Sequence, residues 1–192
     1  MKHFGILGGT FNPVHEAHIK LGEYFLKESE ADSVIYVPCN VSPFKTNEKI
    51  ASSFSRLEML KLALDRKDKF EISSYEIDKE GISYSYETIN HFNDKYPNTK
   101  LSLILGGDQA ENFHKWKNWK SILDMADIYV ALRKGYKIPT YDFETYKKAV
   151  YMEMPYIEVS ASQIRNDISE GKTNIKYLNE YVEKYIYENN IY

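Results

Sequence analysis

The sequence predicts an α/β fold: a doubly wound, mostly parallel sheet with flanking helices. Short β-type runs alternate with segments of helical periodicity, which implies parallel pairing through right-handed crossovers. Two of these runs break directly into glycine pairs, Gly8-Gly9 and Gly106-Gly107, the form a strand takes when it opens into a loop at a ligand rim. The length of 192 residues suits one core of ordinary size and is too short for two, so a single domain over 1–192 is expected.

Each element follows from its local pattern. Residues 2–7 form a β-type run that ends in Gly8-Gly9-Thr10, and after Asn12-Pro13 the spacing predicts a helix over 15–30. A β-branched run covers 33–38 and a polar loop 39–53. The next helix carries Leu57, Leu60, Leu62 and Leu64 as its apolar positions. Residues 70–73 read as a third strand, and 84–96 as a helix stopped by Pro97. The run 101–105 is mainly apolar, as in a strand buried on both faces. A helix over 108–124, a buried strand over 128–132 and a last short strand over 157–159 are expected next. Two helices, 160–170 ended by Gly171 and 175–189, close the chain. Ligands of such sheets sit beyond the carboxyl ends of the strands, so Gly8-Gly9, Asn40, residues 106–108 and Arg133 should share one rim.

Composition narrows the function. Apolar residues at 43% and charged residues at 28% exclude global disorder. No apolar run approaches the roughly 20 residues of a membrane helix, and the opening residues lack a signal-peptide h-region, so a cytoplasmic protein without a membrane partner is expected. Cys39, the single cysteine, excludes an internal disulfide and a metal site built on paired cysteines. Twenty-five Lys and Arg against 28 Asp and Glu give a net charge of −3, a field that repels nucleic acid, so an anionic substrate must be held by local charge.

Two stretches carry the chemistry. In Gly8-Gly9-Thr10-Phe11-Asn12-Pro13-Val14-His15-Glu16-Ala17-His18, glycines let backbone approach a ligand, and the following helix start offers N–H groups to phosphate. A spacing of three puts His15 and His18 on one helical face, able to point at the same anion. The rival reading, a metal pair, usually has a spacing of four with an acid, and no third ligand is evident. The glycines match neither G-x-G-x-x-G nor the P-loop. In Val159-Ser160-Ala161-Ser162-Gln163-Ile164-Arg165, Ser160 or Ser162 would cap a helix whose start faces an anion beside the Arg165 guanidinium. The plain alternative is a capped helix and nothing more.

These stretches resemble the G-x-F-x-P-x-H-x-G-H and I-S-x-T-x-I-R elements of the nucleotidyltransferase superfamily. The blocks between them are similar to those of the nicotinate mononucleotide adenylyltransferase family: Val37-Pro38-Cys39-Asn40 with Ser42-Pro43-Phe44-Lys45, Ser83-Tyr84-Ser85 with Thr88, residues 104–108 with Phe113 and Trp116, and 132–135. Ala17, Phe44 and Ser85 depart from the usual Gly, His and Thr. The resemblance implies a Rossmann-like nucleotidyltransferase fold in which 160–192 completes the active site. It also implies direct attack of the mononucleotide phosphate on the α-phosphorus of ATP, giving deamido-NAD and pyrophosphate. The attacking oxygen is already anionic, so alignment and charge stabilisation would replace a general base.

By the same resemblance, His15, His18, Lys45 and Arg165 are the catalytic residues. ATP would be met by Gly8, Gly9, Thr10, Phe11, Gly106, Asp108, Ser160 and Ser162 together with His15, His18 and Arg165. Nicotinate mononucleotide would be met by Asn40, Lys45, Tyr84, Ser85, Trp116 and Arg133, its carboxylate by N–H groups near Ser85 and Lys117. Mg2+ is the expected cofactor, held mainly by substrate phosphates. Two plain alternatives stay open: Asp108 as a helix N-cap, and Phe113, Trp116 and Trp119 as a core stripe. The competing functions are the same transfer to nicotinamide mononucleotide or phosphopantetheine, and an inactive nucleotide sensor. Homo-oligomerisation is left open.

Overall fold

The computed structural model describes residues 1–43, 50–133, 148–155 and 157–192. The strands are β1 (His3–Gly9), β2 (Ser33–Pro38), β3 (Phe70–Ile72), β4 (Lys100–Gly106), β5 (Asp127–Arg133) and β6 (Ala149–Met154). They form one sheet in the order β3-β2-β1-β4-β5-β6, with every neighbouring pair parallel. This is the doubly wound α/β arrangement that the alternation predicts. The strand order reverses between β1 and β4, and that switch point leaves a crevice at the carboxyl ends. The register puts the glycines there: Gly9 lies opposite Pro38, and Gly106 opposite Ala131.

The described helices are α1 (Glu16–Ser29), α2 (Ser53–Leu64), α3 (Tyr75–Asp78), α4 (Ser85–Lys95), α5 (Gly107–Glu111), α6 (Trp119–Met125), α7 (Ala161–Ser169) and α8 (Glu180–Glu188). Strand side chains alternate between two cores. Leu7, Val34, Tyr36 and Ile104 pack with residues of α1, α2, α7 and α8, while Ile6, Ile35, Val37 and Leu105 pack with residues of α4, α5 and α6. The central runs read as continuously apolar because both of their faces are covered. No described helix is long and apolar enough to cross a membrane.

Three expectations are corrected. Residues 157–159 are not a strand: the Val159 N–H donates to Ile157 O at 2.9 Å, a tight turn that takes it out of any ladder. The sixth strand is Ala149–Met154, an edge strand with Val150 44% exposed, so its apolar residues do not form the continuous run that marked the inner strands. The helix expected over 108–124 is three pieces, because Trp116 is extended and Asn118 is left-handed (φ 52). The last helix begins at Glu180 rather than 175, where Asn179 Oδ1 accepts the N–H groups of Tyr181 and Val182 at 2.9 and 3.3 Å. The short α3 went unpredicted.

Candidate active site

Strand β1 ends on two glycines that serve different purposes. A Cβ on Gly9 would lie 2.9 Å from the Phe11 ring, whereas a Cβ on Gly8 would meet nothing within 4 Å. Gly9 is required by the fold, and Gly8 leaves room for whatever enters the crevice. Phe11 adopts φ 48, a left-handed conformation rare outside glycine, and its buried ring packs edge-on to His18 at 5.1 Å.

Distant segments tie this turn down. Thr10 O accepts from Arg56 Nη1 at 2.9 Å, and Asn12 O from Arg165 Nη1 at 2.9 Å. Asn12 Oδ1 accepts the Ala51 N–H at 3.0 Å and the Tyr192 hydroxyl at 2.8 Å. Helix α1 then starts beyond His15, whose N–H donates to His18 Nδ1 at 3.2 Å. That bond makes Nδ1 the acceptor, so neutral His18 carries its proton on Nε2, as a donor. The two imidazoles stack with centroids 3.8 Å apart. Burial pushes His15 down to about 4, and its Nδ1 is buried without a partner among the described residues. A neutral imidazole pressed against a second one is poised to gain from an incoming anion.

Arg165 reaches the same turn from α7. Ser160 caps that helix, its Oγ accepting the Gln163 N–H at 3.1 Å. Ile164 and Ile168 are buried in the core, which leaves Arg165 directed at Asn12. Its Nη2 donates to Ser162 Oγ at 3.2 Å, so Ser162 orients the guanidinium and Ser160 holds the helix.

On the opposite side, Gly106 is the N-cap of α5, with its N–H donating to Gln109 Oε1 at 3.1 Å. Asp108 is therefore not the cap: it sits inside the first turn and lines the cavity. The aromatic triad splits as well. Phe113 is fully buried, while Trp116, 5.4 Å from it, is half-buried and lines the cavity. Tyr84 and Ser85 line it beside Lys117, whose Nζ is 4.1 Å from the Tyr84 ring centroid and 3.0 Å from Glu87.

One cavity of about 1000 Å³ joins these groups, from His15, His18 and Arg165 at one end to Trp116 and Tyr84 at the other. Gly8, Gly9, Thr10, Phe11 and Gly106 also line it; Asn40, Ser160 and Ser162 do not. The Asn40 side chain is engaged elsewhere, donating to Gly81 O at 3.2 Å and accepting from Ser53 Oγ at 3.1 Å. Arg133 ends β5 opposite Met154. Phe44, Lys45 and residues 134–135 lie outside the described residues. Among the described residues no group of three His, Cys, Asp or Glu side chains could hold a metal ion, so they do not form a resident metal site.

Two buried charged residues escaped the sequence reading. Glu76 of α3 is buried yet lines the cavity, and it accepts hydrogen bonds from the Thr88 and Ser83 hydroxyls. Burial pushes its carboxyl pKa up, with the two hydroxyls pulling the other way. Ser83 Oγ in turn accepts the Asn40 N–H at 2.9 Å. The hydroxyls of Ser83 and Thr88 were the available signal, since buried hydroxyls need a partner. The second residue, Arg56, gave no such signal.

Comparison with known proteins bears on the family and the fold. A family model described as cytidylyltransferase-like matches residues 6–167. A Bacillus subtilis protein named nicotinate-nucleotide adenylyltransferase is 33% identical over 192 residues, covering 100% of this chain and 99% of its own. A Clostridium tetani protein named "Probable nicotinate-nucleotide adenylyltransferase" is 38% identical over 179 residues, covering 90% of each chain. In fold, the chain is similar to the Plasmodium falciparum nicotinic acid mononucleotide adenylyltransferase complexed with APC, with a TM-score of 0.81 at 17% identity over 100% of this chain and 97% of that one.

Proposed function

This chain belongs to the cytidylyltransferase-like family and, within it, to the nicotinate-nucleotide adenylyltransferases, and from that membership we infer its reaction. It transfers the adenylyl group of ATP to nicotinate mononucleotide, giving deamido-NAD and pyrophosphate in NAD biosynthesis. The observation that carries the reading of the site is that His15, His18 and Arg165, from opposite ends of the sequence, line one cavity whose far end is aromatic.

The mononucleotide phosphate attacks the α-phosphorus of ATP in line, the bond to the bridging oxygen breaks, and pyrophosphate leaves without a covalent enzyme intermediate. The nucleophile is already an anion, so the protein contributes position and positive charge. His15 and His18 meet the α- and β-phosphates, and Arg165, oriented by Ser162 at the start of α7, meets the β- and γ-phosphates. Gly8 lets backbone approach the nucleotide, and Asp108 accepts from the ribose hydroxyls. Trp116 offers its face to the cationic pyridine ring, while N–H groups near Ser85 and Lys117 meet the carboxylate, with Tyr84 beside them. Lys45 as a phosphate donor, Asn40 and Arg133 enter on the resemblance of their motifs. A divalent cation, Mg2+ in this proposal, arrives on the ATP phosphates. A cytoplasmic setting belongs to the same proposal.

The test is pyrophosphate release from purified protein with Mg-ATP and, separately, nicotinate mononucleotide, nicotinamide mononucleotide and phosphopantetheine. The expected result is clear preference for nicotinate mononucleotide. Preference for another acceptor, or no release with any, would overturn the assignment.

A further inference from the structure

Arg56 of α2 is 1% exposed and heads the largest fully buried side chains. Its three nitrogens are all engaged: Nε donates to Ala51 O at 3.1 Å, Nη1 to Thr10 O at 2.9 Å, and Nη2 to Asn40 O at 3.3 Å and Ser53 Oγ at 3.4 Å. The acceptors of these four bonds are carbonyls and a hydroxyl, the acidic groups that face the guanidinium are the Cys39 thiol and the Tyr192 hydroxyl, and no carboxylate pairs with it among the described residues. A buried guanidinium with satisfied hydrogen bonds and no carboxylate partner is unusual, because burying a charge is costly and such groups are generally paired.

Its location supplies the missing partner. Thr10, whose carbonyl it holds, lines the cavity between Gly9 and Phe11. Ala51, whose carbonyl it also holds, donates its N–H to Asn12 Oδ1 at 3.0 Å. Arg56 therefore stands directly behind the turn, on the side away from the ligand, and links it to the end of β2 and the start of α2. Its field is weakly screened there because the guanidinium is buried.

We propose that Arg56 is a positioning residue for the polyphosphate, fixing the Gly8-to-Asn12 turn while its buried charge gains a fully ionised partner when the anionic nucleotide occupies the cavity. The proposal rests on the phosphate reading of the cavity given above. It distinguishes Arg56 from Arg165, which lines the cavity itself, and from an ordinary structural arginine, which would be indifferent to the charge of the ligand.

The experiment pairs the charge without removing the clamp. Ser53 is the first residue of α2, where a carboxylate is favoured by the helix dipole, and its Oγ is 3.4 Å from Arg56 Nη2. Ser53→Asp therefore pairs the guanidinium in place, and Ser53→Ala controls for the lost hydroxyl. Affinities for adenosine, AMP, ADP and ATP are measured by direct titration at fixed salt, with thermal unfolding of each variant. Ser53→Asp is expected to fold as stably as wild type and to weaken ATP by about tenfold, ADP and AMP by progressively less, and adenosine by less than about twofold. Ser53→Ala should bind all four within about twofold of wild type. Arg56→Lys, which keeps the charge but not the fork, should keep the gradation across the four ligands closer to wild type than Ser53→Asp does, whatever its stability. Equal weakening of all four ligands by Ser53→Asp, or unaltered ATP affinity, would overturn the proposal. Wild-type protein that binds none of them would overturn the phosphate reading itself.

Discussion

The two ends of the cavity are built on opposite principles. At the end of His15, His18 and Arg165, two imidazoles and a guanidinium gather at one turn, and that turn is pinned by bonds from three distant segments, through Ala51 and Arg56, Arg165, and Tyr192. At the other end Trp116 and Tyr84 offer aromatic faces, and the one buried charged side chain among the described lining residues there is a carboxyl, Glu76, held by two hydroxyls. A highly charged ligand portion needs donors that do not reorganise, whereas a flat aromatic portion needs area and only a few oriented polar groups. In the proposed function the charged end takes the polyphosphate and the aromatic end the pyridine ring, and single substitutions can separate them.

The largest expected effect is at the charged end. His18→Ala should lower turnover by about 10²-fold to 10³-fold, the usual cost of one transition-state donor, while circular dichroism and thermal unfolding stay close to wild type. An active His18→Ala enzyme would remove the phosphate role. Trp116→Ala should raise KM for nicotinate mononucleotide by about tenfold or more, from the loss of a stacking face, and change ATP affinity by less than about twofold. Equal effects on both substrates would return Trp116 to the core stripe.

Glycine substitutions sharpen the comparison within the turn itself. Gly8→Ala points its methyl into open space, so stability should hold within about 0.5 kcal/mol while ATP titration shows weakened binding. Gly9→Ala meets the Phe11 ring at 2.9 Å and should lose about 1–3 kcal/mol of stability in denaturant unfolding, the cost of overpacking. Loss of stability at Gly8 with full ATP affinity would mean that the glycine serves the chain and not the ligand.

The smallest effect is on pH dependence, and its sign differs between the ends. His15 is held at about 4, below its ordinary 6.5. The unfolded chain therefore binds more protons between those values, and His15 makes the empty protein lose stability as pH falls from about 6.5 to 4, by roughly 3 kcal/mol at the limit. Glu76 is shifted up, so its contribution is present at low pH and is lost as pH rises through its folded value. Thermal unfolding of His15→Asn should fall less steeply than wild type as the medium is acidified, and that of Glu76→Gln more steeply. ATP binding should also take up a proton through His15 near pH 6, read by calorimetry in buffers of different ionisation enthalpy and lost in His15→Asn. Identical slopes for all three proteins would remove the contrast.

What the sequence made legible was local. The Gly8-to-His18 stretch could be read because its glycines, Asn12-Pro13 and histidines lie within eleven consecutive residues, and strands β1, β2, β4 and β5 because burial on both faces leaves apolar runs. Arg56 and Glu76 could not be found in that way. Arg56 looks like any helical arginine until Thr10, 46 positions away, supplies an acceptor, and Tyr192 reaches Asn12 across 180. The edge strand β6 and the break at Asn118 were missed because one-sided exposure and a single left-handed residue leave only weak marks in a pattern. Lys45 lies outside the described residues, so its role still rests on the motif that named it.

The central claim is that the two histidines and Arg165 act on one polyphosphate. A crystal structure of the protein with a non-hydrolysable ATP analogue tests it most directly. Phosphate oxygens should lie within hydrogen-bond distance of His18 and of Arg165 in the same cavity, with the adenosine turned toward Asp108. A triphosphate bound elsewhere, or touching the histidines while Arg165 stays on Asn12 alone, would contradict it.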